Sequence, residues 1–108
     1  FPAQKGEAYG HTIIAPVTHI EDIYNADPEI LKNLILECKE IALLYNEKLG
    51  STGVNILHAS GLSAQQSVQH FHFHLIPRFD NDGLNAWPDL PGSGANNDQI
   101  LEILTSKT

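Results

Sequence analysis

Three of the six histidines in this chain fall in one short run, Gln66-Ser67-Val68-Gln69-His70-Phe71-His72-Phe73-His74-Leu75-Ile76-Pro77, with a large apolar residue in each gap. Side chains of an extended strand alternate between faces, so this spacing predicts three imidazoles on one surface about 7 Å apart, with Phe71, Phe73 and Leu75 on the opposite, core side. Imidazole can serve near neutral pH as nucleophile, general base, general acid or metal ligand. A single metal ion is an awkward fit for three rings strung along roughly 14 Å of backbone, because ligand nitrogens must converge to about 2 Å from one point. The run also holds no acidic residue to orient the rings as outer partners of a metal site. A phosphate site suits it better. One neutral histidine attacks phosphorus while protonated neighbours neutralise the oxygens and the leaving group. Ser67 adds a hydroxyl and a backbone N–H at the strand entrance, and Gln66 adds an amide donor beside it. A metal-dependent hydrolase using the same imidazoles stays open as the alternative.

The flanking sequence supplies the elements that must position these rings. His11-Thr12-Ile13-Ile14-Ala15-Pro16 reads as a short strand closed by proline. Asp27 is an N-cap type and Pro28 suits the first helical position. From Pro28 to about Lys48 the residues Leu31, Leu34, Ile35, Cys38, Ile41, Ala42, Tyr45 and Leu49 form the stripe of an amphipathic helix, with Gly50 as its terminator. Val54 to His58 reads as a second strand, Ala59 to Ala64 as a loop, and Gln65 to Ile76 as one long histidine strand ended by Pro77. Asp80 to Gly83 and Trp87 to Gly94 are irregular, and Asn97 or Asp98 is expected to cap a short last helix carrying Ile100, Leu101, Ile103 and Leu104. The expected fold class is α+β, an antiparallel sheet with one long helix on the face away from the histidines. So small a sheet exposes its edges, which fits missing N-terminal strands, dimerisation or both.

At 108 residues and 42% hydrophobic composition, one domain with one core is expected, its core at about 1–78 and a tail with a short helix at 79–108. The formal charge of −7 lacks the basic surface that duplex nucleic acid requires, and no apolar run reaches membrane-spanning length. The single cysteine, Cys38, sits on the helix stripe, so a buried inert thiol is expected, with no internal disulfide and no cysteine zinc site. A cytoplasmic address follows as the simplest expectation. The chain opens Phe1-Pro2-Ala3 and has no methionine, so further N-terminal residues are expected to precede it.

His-x-His-x-His followed by two apolar residues, preceded by Gln-Ser-Val-x and joined to an upstream Gly-His-Thr-Ile-Ile-Ala-Pro-x-x-His, resembles the histidine triad (HIT) family of nucleotide hydrolases and transferases. The resemblance runs from Phe1 to about Arg78 and looks most like the bacterial and archaeal branch. It implies that His72 attacks the α-phosphate of a purine nucleotide conjugate, such as a phosphoramidate, acyl adenylate or dinucleoside polyphosphate. It further implies that His70 holds His72 in the right tautomer through its main-chain carbonyl, that His74 and Ser67 contact phosphate, and that Gln66 lines the pocket. His19 matches the family's upstream histidine packed against the triad, and Trp87-Pro88 resembles a segment that crosses a dimer interface to line the partner's site. A homodimer with one continuous sheet is implied, with no obligatory metal and structural zinc only through residues outside this chain. A histidine at position 74 separates the chain from the galactose-1-phosphate uridylyltransferase branch, which has glutamine there. Two departures stand out. Ala3 falls near the family's ribose-binding acid, and Ala59 replaces a polar loop residue, so a non-catalytic nucleotide-binding regulator is a second alternative. His58 is expected to be an exposed loop histidine, His11 to make a structural hydrogen bond, and Arg78 to be solvated or salt-bridged.

Overall fold

The computed structural model describes residues 9–87 and 89–106, so the expectation at Ala3 lies outside the described residues. Its elements are β1 (Thr12–Ile14), α1 (Pro28–Leu44), β2 (Gly53–Leu57), β3 (Phe73–Arg78) and α2 (Asn97–Thr105). The three strands form an antiparallel sheet in the order β1-β3-β2. The α+β expectation therefore holds, with α1 lying on one face of the sheet.

Helix α1 begins where its sequence dictates. The Asp27 carboxylate accepts from the Glu29 amide at 3.1 Å, and Pro28 occupies the first turn, where an N–H would have no partner. At the other end the helix widens into a π-helical turn, Tyr45–Leu49, and stops at Gly50 with φ +72°. Of the predicted stripe, Leu34, Cys38 and Tyr45 are buried, whereas Ile35 is 49% exposed and Leu49 37%. The sheet is narrow and covers only the middle line of the stripe.

The core joins Leu34, Cys38 and Tyr45 to Ile14, Ile20, Phe71 and Leu75. Phe71 and Leu75 have no exposed surface, while His70, His72 and His74 are half-buried, so the predicted alternation is present. The strand that carries it is shorter than expected. It starts at Phe73 instead of Gln65, because its neighbours run out: Ile14 of β1 pairs with Phe73, and Leu57 of β2 pairs with His74. His70, Phe71 and His72 thus lie ahead of the ladder, and the Phe71 amide donates to the Ile20 carbonyl at 2.6 Å instead. Pro77 also sits inside β3, where it was expected to end the strand. Pairing with β1 stops at Leu75, so the strand has an open edge at Pro77, where a proline is tolerated.

The turn before β1 depends on Gly10. Its φ is +74°, and a Cβ there would lie 2.8 Å from the Pro77 ring, so neither the conformation nor the space admits another residue. The Tyr45 hydroxyl ties this turn to the helix, lying 2.7 Å from the Gly10 carbonyl, 2.6 Å from the Thr12 hydroxyl and 3.1 Å from the Leu75 carbonyl. Burial pushes its pKa up, so the phenol keeps its proton.

After β3 the chain turns through Asn81 and Gly83, both at positive φ. Arg78 is salt-bridged, the second of its two expected settings: Nε and one terminal nitrogen grip the Asp82 carboxylate at 2.9 Å each, and the other donates to Asn55 Oδ1 at 2.7 Å. Asp82 also accepts from the Phe79 and Leu84 amides. Helix α2 is capped by Asn96, one residue before the expected Asn97 or Asp98, its side chain accepting from the Asp98 and Gln99 amides. Its apolar residues Ile100, Leu101, Ile103 and Leu104 are all exposed. Among the described residues no helix is long and apolar enough to cross a membrane.

Candidate active site

The histidine face of the sheet is assembled from β3, the segment just ahead of it, and the residues flanking β1. His74 is in register with Ile13 of β1 and Leu57 of β2, and His72 and His70 continue the same face beyond the ladder. His72 Nδ1 lies 2.7 Å from the His70 carbonyl oxygen. A carbonyl only accepts, so Nδ1 carries the hydrogen and a neutral His72 presents a bare Nε2. That nitrogen lies 3.1 Å from His74 Nε2, with the two rings edge-on at 4.7 Å.

With every ring neutral, the remaining protons are fixed in sequence. His74 donates from Nε2 to His72, so its Nδ1 accepts, and His11 Nε2 is the donor at 2.9 Å. His11 Nδ1 is then a buried acceptor without a hydrogen-bond partner among the described residues. His70 turns away from this line. Its Nε2 donates to the Pro16 carbonyl at 2.9 Å, and its Nδ1 faces His19 Nδ1 at 3.3 Å, His19 itself being exposed. His72, His74 and His11 therefore form a continuous line of imidazoles, and His70 and His19 form a flanking pair.

The other candidates fall as follows. Gln66 is only 4% exposed, and its amide is engaged within the chain: Oε1 accepts from the Gly61 amide at 2.8 Å, and Nε2 donates to the Glu21 carbonyl at 2.6 Å and the Val68 carbonyl at 3.0 Å. It braces the loop that carries Ser67, which is exposed. Trp87 is 76% exposed, so it does not cover its own core. Cys38 is buried, and burial, then the nearby Glu37 charge, push its thiol above the ordinary range, as expected of an inert cysteine. Among the described residues no group of three or more His, Cys, Asp or Glu is placed to hold a metal ion.

Two histidines belong here that the sequence reading placed elsewhere. His11 makes the expected hydrogen bond, but to His74 itself. Its signal was available in β1, where the buried Ile14 assigns the alternate positions Ile13 and His11 to the histidine face. His58 is not the exposed loop residue expected. It is half-buried, its Nδ1 2.9 Å from the His72 carbonyl and its Nε2 on the Ser60 hydroxyl. Only the register of β2 against β3 brings it there.

A family model described as HIT domain matches residues 1–81. The chain belongs to the HIT family. Protein hit of Bacillus subtilis (strain 168) is 38% identical over 78 residues, which cover 71% of this HIT chain and 54% of the relative. Adenosine 5'-monophosphoramidase hnt1 of Schizosaccharomyces pombe is 28% identical over 100 residues, covering 91% of the chain and 72% of that protein. The crystal structure of a HIT family protein from Bacillus anthracis matches with a TM-score of 0.80 at 31% identity, over 96% of this chain and 74% of the other. The chain spans about half the length of curated relatives such as Protein hit.

Proposed function

We propose that this HIT protein hydrolyses or transfers the nucleotidyl group of a purine nucleoside conjugate, a phosphoramidate, acyl adenylate or dinucleoside polyphosphate, through a covalent adduct on His72. The observation that carries this reading is the His72 tautomer: the His70 carbonyl takes Nδ1–H, leaving the Nε2 lone pair as the nucleophile. In the first step Nε2 attacks the α-phosphorus, a P–N bond to the ring forms, and the bond to the leaving group breaks. His74, in its imidazolium form and with Nε2 3.1 Å from the attacking nitrogen, gives its Nε2 proton to the departing atom and is left neutral. In the second step water attacks the same phosphorus, passing a proton back to the neutral His74, the P–N bond to His72 breaks, and the nucleoside monophosphate leaves. Ser67 and Gln66 belong to the phosphate and nucleotide pocket in this reading, Ser67 by direct contact and Gln66 by bracing the loop. His19 supports His70 from outside. The fission-yeast relative, by name an adenosine 5'-monophosphoramidase, makes a phosphoramidate the substrate to try first.

The same proposal takes residues 1–108 as one HIT domain of bacterial or archaeal type, acting in the cytoplasm as a homodimer without an obligatory metal. Trp87 then serves the partner's pocket, which its exposure permits. The test is release of adenosine monophosphate from adenosine 5'-phosphoramidate with chelator present. His72→Ala should lower the rate by at least about 10³-fold, in the range expected when an acid, base or nucleophile is removed. Release that persists in His72→Ala, or that chelator alone stops, would overturn the proposal.

A further inference from the structure

We propose that His58 is a positioning residue, holding the main chain of His72 from the core side of the sheet; this rests on the reading of His72 as nucleophile. The His72 carbonyl lies one residue beyond the ladder, since β3 opens at Phe73 and the last residue of β2, Leu57, pairs with His74. His58 follows Leu57 directly, and its side chain supplies the next hydrogen bond in place of a backbone amide, Nδ1 to the His72 oxygen at 2.9 Å.

The tautomer of His58 is fixed as well. The His72 carbonyl only accepts, so the imidazole hydrogen resides on Nδ1 and points at it, and a neutral ring then takes the Ser60 hydroxyl hydrogen at Nε2 while Ser60 Oγ accepts from the Ile23 amide at 2.9 Å. The ring is held between Phe71, at 4.5 Å between centroids, and Phe73, at 5.4 Å. His72 thus has two handles: its ring is held through the His70 carbonyl, and its peptide through His58. The His70 contact holds the ring and the ladder holds the peptide only from its Phe73 side, so without His58 the carbonyl side is free to tilt and the nucleophilic nitrogen loses its aim at phosphorus. Misplacement by about 1 Å costs up to about 10²-fold in rate.

The experiment compares wild type, His58→Phe, His58→Asn and Ser60→Ala for turnover of adenosine 5'-phosphoramidate. It also records ¹⁵N signals of the histidine rings in alkaline buffer, where an ordinary imidazole is neutral. His58→Phe should lower kcat by about 10- to 100-fold with KM within about twofold, because binding contacts are untouched. Asparagine places an N–H near the position of histidine Nδ1, so His58→Asn should restore most of kcat. Ser60→Ala removes the hydroxyl at Nε2 but leaves the His72 carbonyl on Nδ1, so His58 should keep its Nδ1–H tautomer and kcat should stay within a few-fold of wild type. An unchanged kcat in His58→Phe, an asparagine variant no better than phenylalanine, or a wild-type His58 protonated on Nε2 would each overturn the proposal. If wild type turns over no nucleotide, the catalytic reading fails separately, and the His72 ring signals decide. Positioning stands if they shift in His58→Phe and return in His58→Asn, and falls if they do not move.

Discussion

Cys38 and Asp82 show how neighbouring atoms set the chemistry of one side chain. Cys38 has no exposed surface, and both burial and Glu37 disfavour its thiolate, the reactive form. A thiol reagent should therefore label the native protein only as fast as the helix opens, and promptly in denaturant, which a stopped-flow comparison in buffer and urea would check. Prompt labelling in buffer would mean that α1 leaves the sheet readily. Asp82 is held well below the usual carboxylate range, first by its hydrogen bonds from Arg78 and then by the Phe79 and Leu84 amides. A carboxylate depressed in the folded state stabilises it above the unfolded pKa of about 3.9, and that stabilisation is lost as pH falls below it. Asp82→Asn should lower Tm at neutral pH, and the gap to wild type should close as pH drops from about 4 toward strong acid. A gap that stays constant with pH would show that the charge of Asp82 contributes nothing.

Helix α1 and strand β3 differ in how their limits are set. The start of α1 is local: Asp27→Ala removes the acceptor of the Glu29 amide and should cost about 1 kcal/mol, lowering Tm by about 4–8 °C in a domain near 100 residues. A thermal melt measures this directly, and no change would mean that water caps the helix equally well. Because Asp27, Pro28, the three-and-four spacing and Gly50 all act within the helix, its extent is legible in the sequence almost to the residue. The limits of β3 are not local. The run from Gln65 alternates faithfully, yet whether an extended segment is a strand depends on partners, and Ile14 and Leu57 are where those partners stop. The same logic separates the site residues. His70, His72 and His74 announce themselves by spacing along one segment. His58 is placed by register between two segments, a relation absent from either one alone, and His11 needed the face of β1 to be fixed first.

At the scale of the whole molecule, the folded body and the tail behave differently. The body buries Phe71, Leu75 and Cys38 completely, whereas α2 buries none of its residues and Trp87 stands largely in solvent. Trp87→Ala should therefore change monomer stability by no more than about 0.5 kcal/mol, as for other surface positions. If Trp87 serves a partner's pocket as proposed, the same variant shifts the ratio of kcat/KM between phosphoramidate and dinucleoside polyphosphate, measured side by side. A large fall in Tm with an unchanged ratio would return Trp87 to a purely structural part.

The contact between Gly10 and Pro77 bears on all three scales. A strand whose side chains alternate can in principle slide by one residue, and here that slip would exchange the phenylalanines for the imidazoles, turning the histidine face into the core. In the observed alignment a Cβ at position 10 would lie 2.8 Å from the Pro77 ring, so this register needs glycine there. The pair works as a locating pin, fitting the alignment in which the residue without a Cβ meets the proline ring.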